Sequence, residues 1–332
     1  MSLFASVSVV EIKARGSIKD ADVTRLRSNF ATRGVITAEE ADQLISLNDS
    51  CAIKDPAWQG CFVDLLSDYI IDQCEPAGYL NAGKAAWVRD RLSRFGKIEA
   101  HAKLDLLVNV IAKSRWAPQS LVGFALEQVR LAILDGTGPL RAGNVFEPGA
   151  VAETDVALMR RILLAFGGEG NEGITQLEAE ILLSIDIMTQ AASNCPGWRD
   201  LFVGALACAA MTASGYRMPA RDVALAPDAW TERRDLDNIL SGMVCGDGSL
   251  LCNFKPMERE ALAIQRLTQQ KVGIVTREEV PAYDAGWLVQ HLAIASHLTP
   301  NVMALLRLLK AEGRPVDPRL QGVLDLVGSV AA

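Results

Sequence analysis

Three aspartates recur at intervals of four residues along one predicted helix. Asp64, Asp68 and Asp72 therefore share a helix face. Carboxylates spaced in this way hold magnesium in some all-helical enzymes, usually together with the phosphate groups of a substrate. The sequence offers no second aspartate-rich helix to face them, and an acidic row is also typical of a solvated surface. The row thus predicts either a magnesium site or an ordinary acidic face.

A second group of oxygen ligands lies around the glycine-rich stretch 167–173. Glu169, Asn171 and Glu178 fall at the third, fifth and twelfth positions of an EF-hand-like loop. Gly167 takes the first position, where calcium requires a carboxylate ligand. We therefore expect Glu178 to cap a helix, with calcium binding by this loop as the alternative.

The common signatures of catalysis are absent from the sequence. It contains no P-loop, no nucleophile elbow and no H-E-x-x-H motif, and its one G-x-G-x-x-G spacing, at 168–173, follows a predicted helix and not the strand that a dinucleotide-binding fingerprint requires. His101, His291 and His297 form no cluster with cysteines, which argues against zinc. Cys245 and Cys252 are too far apart for a redox motif, and a metal between them stays open. We expect no cofactor and assign no catalytic residue.

The elements that must position these residues follow a pattern seen first between Gly34 and Leu66. A G-x-I turn leads to Thr37, which with Glu40 forms a capping box at the start of a helix. Asp55 and Pro56 then begin a second helix, with aspartate as the N-cap and proline at the first helical position. Its apolar residues occur at helical spacing and predict a buried face: Trp58, Phe62, Leu65 and Leu66.

This pattern recurs along the chain. Thr175 and Glu178 repeat the capping box, and Pro196, Trp198 and Phe202 repeat the second helix. A shorter half-unit precedes each copy, beginning at a G-x-apolar turn. The four predicted units begin near Gly16, Gly78, Gly149 and Gly248, and the fourth capping box is predicted at Gly273, Thr276 and Glu279.

We predict an all-α tandem repeat of four units in two pseudo-equivalent halves, with very short β-like bridges at the G-x-I elements. Repeats of this kind stack on their neighbours because no unit can bury its apolar face alone. The predicted divisions are an N-terminal arm or edge strand (1–15), units one and two (16–134), a linker (135–148), units three and four (149–312) and a capping helix (313–332). An inserted helix is predicted near 228–243, within units three and four.

Composition narrows the class of protein. Of the 332 residues, 50% are hydrophobic, so the chain can bury a substantial core, and the net charge of −7 argues against a nucleic-acid partner. The N-terminus lacks the features of a signal peptide, and the longest apolar run, 201–211, is too short to span a bilayer. The seven cysteines are odd in number and none are in C-x-x-C pairs, which favours free thiols in a reducing cytoplasm. We expect a cytoplasmic protein with no membrane or nucleic-acid partner.

The repeated motifs G-x-I-T-x-x-E-A and P-x-W-x-x-x-F-V, the latter at Pro56 and Pro196, resemble a family of uncharacterised bacterial tandem helical repeat proteins. That resemblance covers most of 16–310 and implies an architecture and a bacterial cytosol, without a reaction. The G-x-I-x-x-x-E element is also similar to the helical TerB (tellurite-resistance) proteins over about a dozen residues per copy.

Helical arrays usually offer a surface to partners in place of an enclosed active site. The leading hypothesis is therefore a non-catalytic protein-interaction or scaffold protein with a protein partner. The alternatives are an enzyme with a site at the junction of the two halves, and a metal or ligand sensor with degenerate EF-hand-like loops. A deep polar pocket at 135–148 would favour the enzyme, and an exposed apolar patch would favour the scaffold.

Overall fold

The computed structural model describes residues 2–141, 147–166, 173–219, 221–225, 255–256, 258–277, 286–292, 298–311 and 315–330. Within these ranges the chain is built of α-helices, with strands of only two residues each. The predicted all-α class is confirmed. No described helix is both long enough and apolar enough to cross a bilayer.

The N-terminal part begins with a helix. Residues of the predicted arm form α1, which Ser8 caps through its side chain, so the edge-strand alternative for 1–15 is wrong. The elements up to the linker are α1 (Val9–Arg15), α2 (Asp20–Arg33), α3 (Ala38–Ser50), α4 (Pro56–Asp68), a π-helical turn (Tyr69–Gln73), α5 (Ala82–Leu92), α6 (His101–Lys113) and α7 (Gln119–Asp135).

The predicted linker contains a short 3-10 helix, Pro139–Arg141, whose Arg141 is buried. The helices after it are α8 (Glu153–Ala165), α9 (Gln176–Thr189), α10 (Pro196–Ala213), α11 (Arg221–Ala224), α12 (Arg259–Thr276), α13 (Gly286–Leu292), α14 (Pro300–Ala311) and α15 (Pro318–Val330). Helix α15 corresponds to the predicted capping helix and packs on α13 and α14.

In the first three predicted units, short backbone bridges join a G-x-apolar turn to the residues before the helix at Pro56, Pro118 or Pro196. Strand β1 (Ser17–Ile18) runs parallel to β2 (Ile53–Lys54), and Asp55 N donates to Ile18 O at 3.0 Å. In the third predicted unit Cys195 N donates to Val151 O at 2.9 Å in the same way. The second unit has a parallel bridge between Tyr79 and Trp116. A further pair, β3 (Tyr216–Arg217) with β4 (Lys255–Pro256), is antiparallel and lies outside these turns.

Trp58 and Trp198 occupy matching, fully buried environments. Trp58 Nε1 donates to Asn48 Oδ1 at 3.1 Å, and Trp198 Nε1 donates to Asp186 Oδ1 at 3.0 Å. Asn48 and Asp186 each lie eleven residues after an N-cap threonine. The ring centroids of Trp58 and Phe62 are 5.9 Å apart, and those of the equivalent pair in α10 are 5.8 Å apart. The first and third predicted units therefore share specific contacts, while the four-unit array stays a prediction.

The fourth capping box is not formed as predicted. Gly273 and Thr276 lie inside α12, where the Thr276 hydroxyl donates to Val272 O at 2.8 Å, so Thr276 ends a helix and does not begin one. Val272 is buried against Tyr79 and Trp116, and this burial favours continuation of the helix through Gly273 to Thr276. Glu279 and the predicted inserted helix near 228–243 lie outside the described residues.

One hydrophobic core includes residues from both sides of the linker. Helix α6 packs on α8, and α7 packs on both α8 and α9. Gly123 allows the close approach of α7 and α9, because a Cβ atom there would lie 2.5 Å from Leu177 Cδ2. This junction positions the groove described below.

Candidate functional site

The three aspartates of the predicted acidic row do not converge on a common point. Asp64 is exposed on α4, with Oδ2 lying 3.6 Å from Arg27 Nη2. Asp68 is half-buried and accepts a hydrogen bond from Gln73 Nε2, and Asp72 is exposed in the π-helical turn. Across the described part of the chain, no three His, Cys, Asp or Glu side chains are arranged to hold a metal ion.

Of the three predicted calcium ligands the structure describes only Glu178, because Glu169 and Asn171 lie outside the described residues. Glu178 is buried and caps α9, as expected: its Oε2 accepts from Thr175 N at 2.7 Å. Its Oε1 accepts from Arg221 Nη1 at 3.0 Å, so an arginine already neutralises this carboxylate. Arg221 also donates to Leu163 O at 2.6 Å.

Glu178 belongs to a set of four carboxylates with the same arrangement. Each lies at the third position of a helix, accepts a hydrogen bond from the backbone N–H of the N-cap residue, and is paired with an arginine. We call these the clamped capping boxes. The pairs are Arg15 with Asp22, Arg33 with Glu40, Arg141 with Asp155, and Arg221 with Glu178.

Sequence reasoning found the capping carboxylates Glu40 and Glu178 and missed all four arginines. Arg15 and Arg33 immediately precede the glycines of the first unit, whereas Arg141 comes from the linker and Arg221 from α11. Arg15 and Arg33 each lie 7 residues before their carboxylates, whereas Arg141 lies 14 residues before Asp155 and Arg221 lies 43 residues after Glu178. No single spacing therefore reveals all four pairs. Arg141 binds Asp155 through both Nη atoms, at 2.7 and 2.8 Å. These pairs fix the starts of four helices.

Asp186 is a buried carboxylate that the sequence pattern did not single out. Besides the bond from Trp198, its Oδ1 accepts from Asn301 Nδ2 at 2.7 Å and its Oδ2 accepts from the Thr299 hydroxyl. Burial raises the pKa of Asp186, against the opposing effect of these hydrogen bonds. The cluster ties the start of α14 to α9 and α10.

The histidines and thiols of the described residues are not arranged for catalysis. His101 is exposed, and His291 Nδ1 lies 2.8 Å from Trp287 O. Burial raises the pKa of the free Cys208 thiol to about 12 and that of Cys195 to about 11, which disfavours the nucleophilic thiolate. His297, Cys245 and Cys252 lie outside the described residues.

A groove of about 630 Å³ opens between the C-terminal end of α6 and one face of α8. Ala112, Ala157 and Leu164 contribute apolar walls, and Arg160 and Arg161 contribute guanidinium groups. No described residue lining it carries a carboxylate, so it is not the polar, acidic pocket that would favour the enzyme hypothesis.

Helix α12 presents an apolar face to solvent. Ile264, Leu267 and Ile274 are 58%, 64% and 79% exposed, and Val275 lies beside them. Leu267, Ile274 and Val275 follow Ile264 by three, ten and eleven residues, which places all four along one side of the helix. Val272 lies on the adjacent side of α12, next to the apolar face, and packs against Tyr79 and Trp116.

The chain matches no known protein family, no characterised protein and no solved structure. The predicted resemblances to the bacterial repeat family and to the TerB proteins therefore stay predictions. What the arrangement can do must be argued from its own surfaces. The clamped capping boxes and the Asp186 cluster join helices, whereas the α12 face and the groove are open to other molecules.

Proposed function

We propose that this protein is a non-catalytic protein-interaction scaffold of the cytoplasm, which recruits a protein partner through the outer face of α12. The observation that carries the proposal is the exposure of Ile264, Leu267, Ile274 and Val275 on one side of that helix. Contiguous apolar surface on a water-soluble domain is typical of interaction sites. The free buried thiols Cys51, Cys61 and Cys208 fit the reducing compartment.

The spacing of the exposed residues indicates what kind of partner fits. Apolar residues one and two turns apart along a helix form the stripe that a second amphipathic helix covers. We therefore propose an amphipathic helix of another protein as the bound element.

The two alternative functions have less support. The enzyme hypothesis needs titratable groups in the groove at the α6–α8 junction, and the described lining supplies two arginines and small or apolar side chains. The sensor hypothesis needs free carboxylates, and Glu178 is bound by Arg221. Calcium or magnesium binding remains an alternative that a direct titration decides.

The test compares partner capture by the wild-type protein with capture by the Leu267→Asp, Ile274→Asp double variant. Tagged protein is expressed in its own host, purified under mild conditions, and the bound proteins are identified by mass spectrometry. We expect one partner to be retained by the wild type and lost from the double variant. The purified pair should then form a defined complex in analytical ultracentrifugation, which also reports self-association of the wild type.

Arg266→Gln is the matched control, because it lowers the charge of the same helix and lies on a different side from the apolar face. This variant should retain the partner. Equal capture by wild type and double variant would refute the role of α12. Self-association of the wild type that the double variant abolishes would show that the face joins two copies of this chain.

A further inference from the structure

The groove between α6 and α8 lies where the segments before and after the linker meet. Its α8 side is formed by one face of the helix, since Ala157, Arg160, Arg161 and Leu164 recur at three- and four-residue spacing. Its other side is formed by the last residues of α6, including Ala112. None of the described residues that line the groove belongs to α12.

Comparison of the first and third predicted units shows what distinguishes this groove. Arg27 and Arg160 each lie five residues after the carboxylate of a clamped capping box. Arg27 faces Asp64, at 3.6 Å. Asp64 lies six residues after Trp58, and the residue six positions after Trp198 is Gly204. The third unit therefore keeps the arginine, as Arg160, and has Gly204 where the first unit has the carboxylate of Asp64.

The guanidinium group of Arg160 is consequently open to a ligand. Its Nε donates to Leu225 O at 2.8 Å, and no other described residue bonds its Nη atoms. Neighbouring Arg161 has a protein partner, because its Nη1 lies 3.1 Å from Asp105 Oδ1. A guanidinium fixed at Nε presents its remaining donors in a fork that matches a carboxylate or a phosphate.

The walls of the groove discriminate between these two anions. Helix α6 ends at Lys113 with Ser114 as C-cap, so the negative end of its dipole is directed toward the groove and disfavours a dianion. The methyl groups of Ala112, Ala157 and Leu164 suit a hydrocarbon body. We propose that the groove binds an organic monocarboxylate with a short apolar body, held by Arg160. This site goes beyond the proposed scaffold function and stands independently of it.

Octanoate is a suitable probe, used below its micelle-forming concentration with the full-length protein. Isothermal titration calorimetry should show saturable binding of octanoate, with weaker binding of 1-octanol and of inorganic phosphate. Arg160→Gln should weaken octanoate binding roughly ten- to a hundredfold, as loss of hydrogen bonds to a charged group does. Arg27→Gln, the same change at the equivalent position of the first unit, should leave the affinity unchanged.

Leu164→Glu provides a second variant, since Leu164 is 36% exposed and the new carboxylate would lie one turn from Arg160 and compete with the ligand. It should weaken octanoate binding while the circular dichroism melt stays cooperative. Absence of binding to the wild type, equal binding by Arg160→Gln, or phosphate binding as tight as octanoate binding would overturn the proposal. None of these results depends on whether α12 recruits a partner.

Discussion

Replacing Glu40 by glutamine tests whether the charge of a clamped capping box stabilises the fold, at a carboxylate whose four hydrogen-bond donors the structure defines. Glu40 Oε1 accepts hydrogen bonds from Leu3 N at 2.7 Å, from Ser2 Oγ at 2.9 Å and from Arg33 Nη1 at 2.6 Å. Its Oε2 accepts from Thr37 N at 2.9 Å. A glutamine side chain has one acceptor oxygen, so its amide N–H group must face at least one of these donors.

The expected change in the free energy of unfolding follows from the pKa of the Glu40 carboxyl group. Burial by itself raises the pKa of Glu40, and hydrogen bonds from Thr37, Leu3, Arg33 and Ser2 outweigh it, so the pKa falls from 4.5 to about 2. At about 1.4 kcal/mol per pKa unit, this difference corresponds to roughly 3 kcal/mol of stabilisation at neutral pH. Glu40 is buried, so solvent screens the interaction little.

Urea unfolding followed by circular dichroism measures this effect. We expect Glu40→Gln to lower the free energy of unfolding by roughly 3 kcal/mol at pH 7. Because the folded-state pKa is depressed, the stabilisation is complete above the unfolded pKa of 4.5 and is lost as the pH falls toward about 2. The difference between wild type and variant should therefore shrink over that acidic range.

Glu39→Gln is the control, because Glu39 lies in the same first turn of α3 and is exposed. It should change the stability by less than about 0.5 kcal/mol, as surface substitutions usually do. A loss below about 1 kcal/mol for Glu40→Gln, or an equal loss at pH 7 and at acidic pH, would refute the conclusion that the charge of Glu40 stabilises this helix start.

Phe62→Ala and Phe202→Ala should each lower the free energy of unfolding by roughly 3–5 kcal/mol, since both rings are fully buried against a tryptophan; an unchanged urea midpoint for either would contradict the core assignment. Asp186→Asn should gain stability relative to wild type as the pH rises above about 4, because burial raises the pKa of Asp186 and the ionised form is therefore disfavoured in the folded state; parallel pH profiles would refute this. Calcium chloride or magnesium chloride should leave the melting temperature unchanged, because Arg221 already occupies the carboxylate of Glu178; a rise that saturates with cation concentration would support the sensor hypothesis instead.

The clamped capping boxes show where prediction from the sequence succeeded and where it stopped. The motif T-x-x-E at Thr37 and Thr175 predicts a helix start because both hydrogen bonds of the box form within four residues. Arg221 reaches Glu178 across 43 residues of chain, and only packing of α11 against the body brings them together. The same holds for Thr299 and Asp186, which are 113 residues apart.

The fourth capping box was mispredicted for a related reason. Thr276 has the local signature of an N-cap, yet the preceding residues continue α12 to that point. Capping preferences contribute about 1 kcal/mol, and burial of Val272 against Tyr79 and Trp116 can outweigh them. For the acidic row, spacing along a helix does not reveal that Arg27 and Gln73 contact two of its members, and magnesium binding by the row stays a prediction.

The sequence alone determined what depends on neighbouring residues: the helical class, the capping boxes at Glu40 and Glu178, and the buried faces around Trp58 and Trp198. These features follow from local hydrogen bonds and from helical periodicity, which need no knowledge of distant contacts. The tertiary structure decided which arginine meets which carboxylate, that the α12 stripe faces outward, and that Arg160 lacks the aspartate that accompanies Arg27. Those outcomes depend on how helices far apart in the chain pack together, and packing geometry is not encoded in any short stretch of residues.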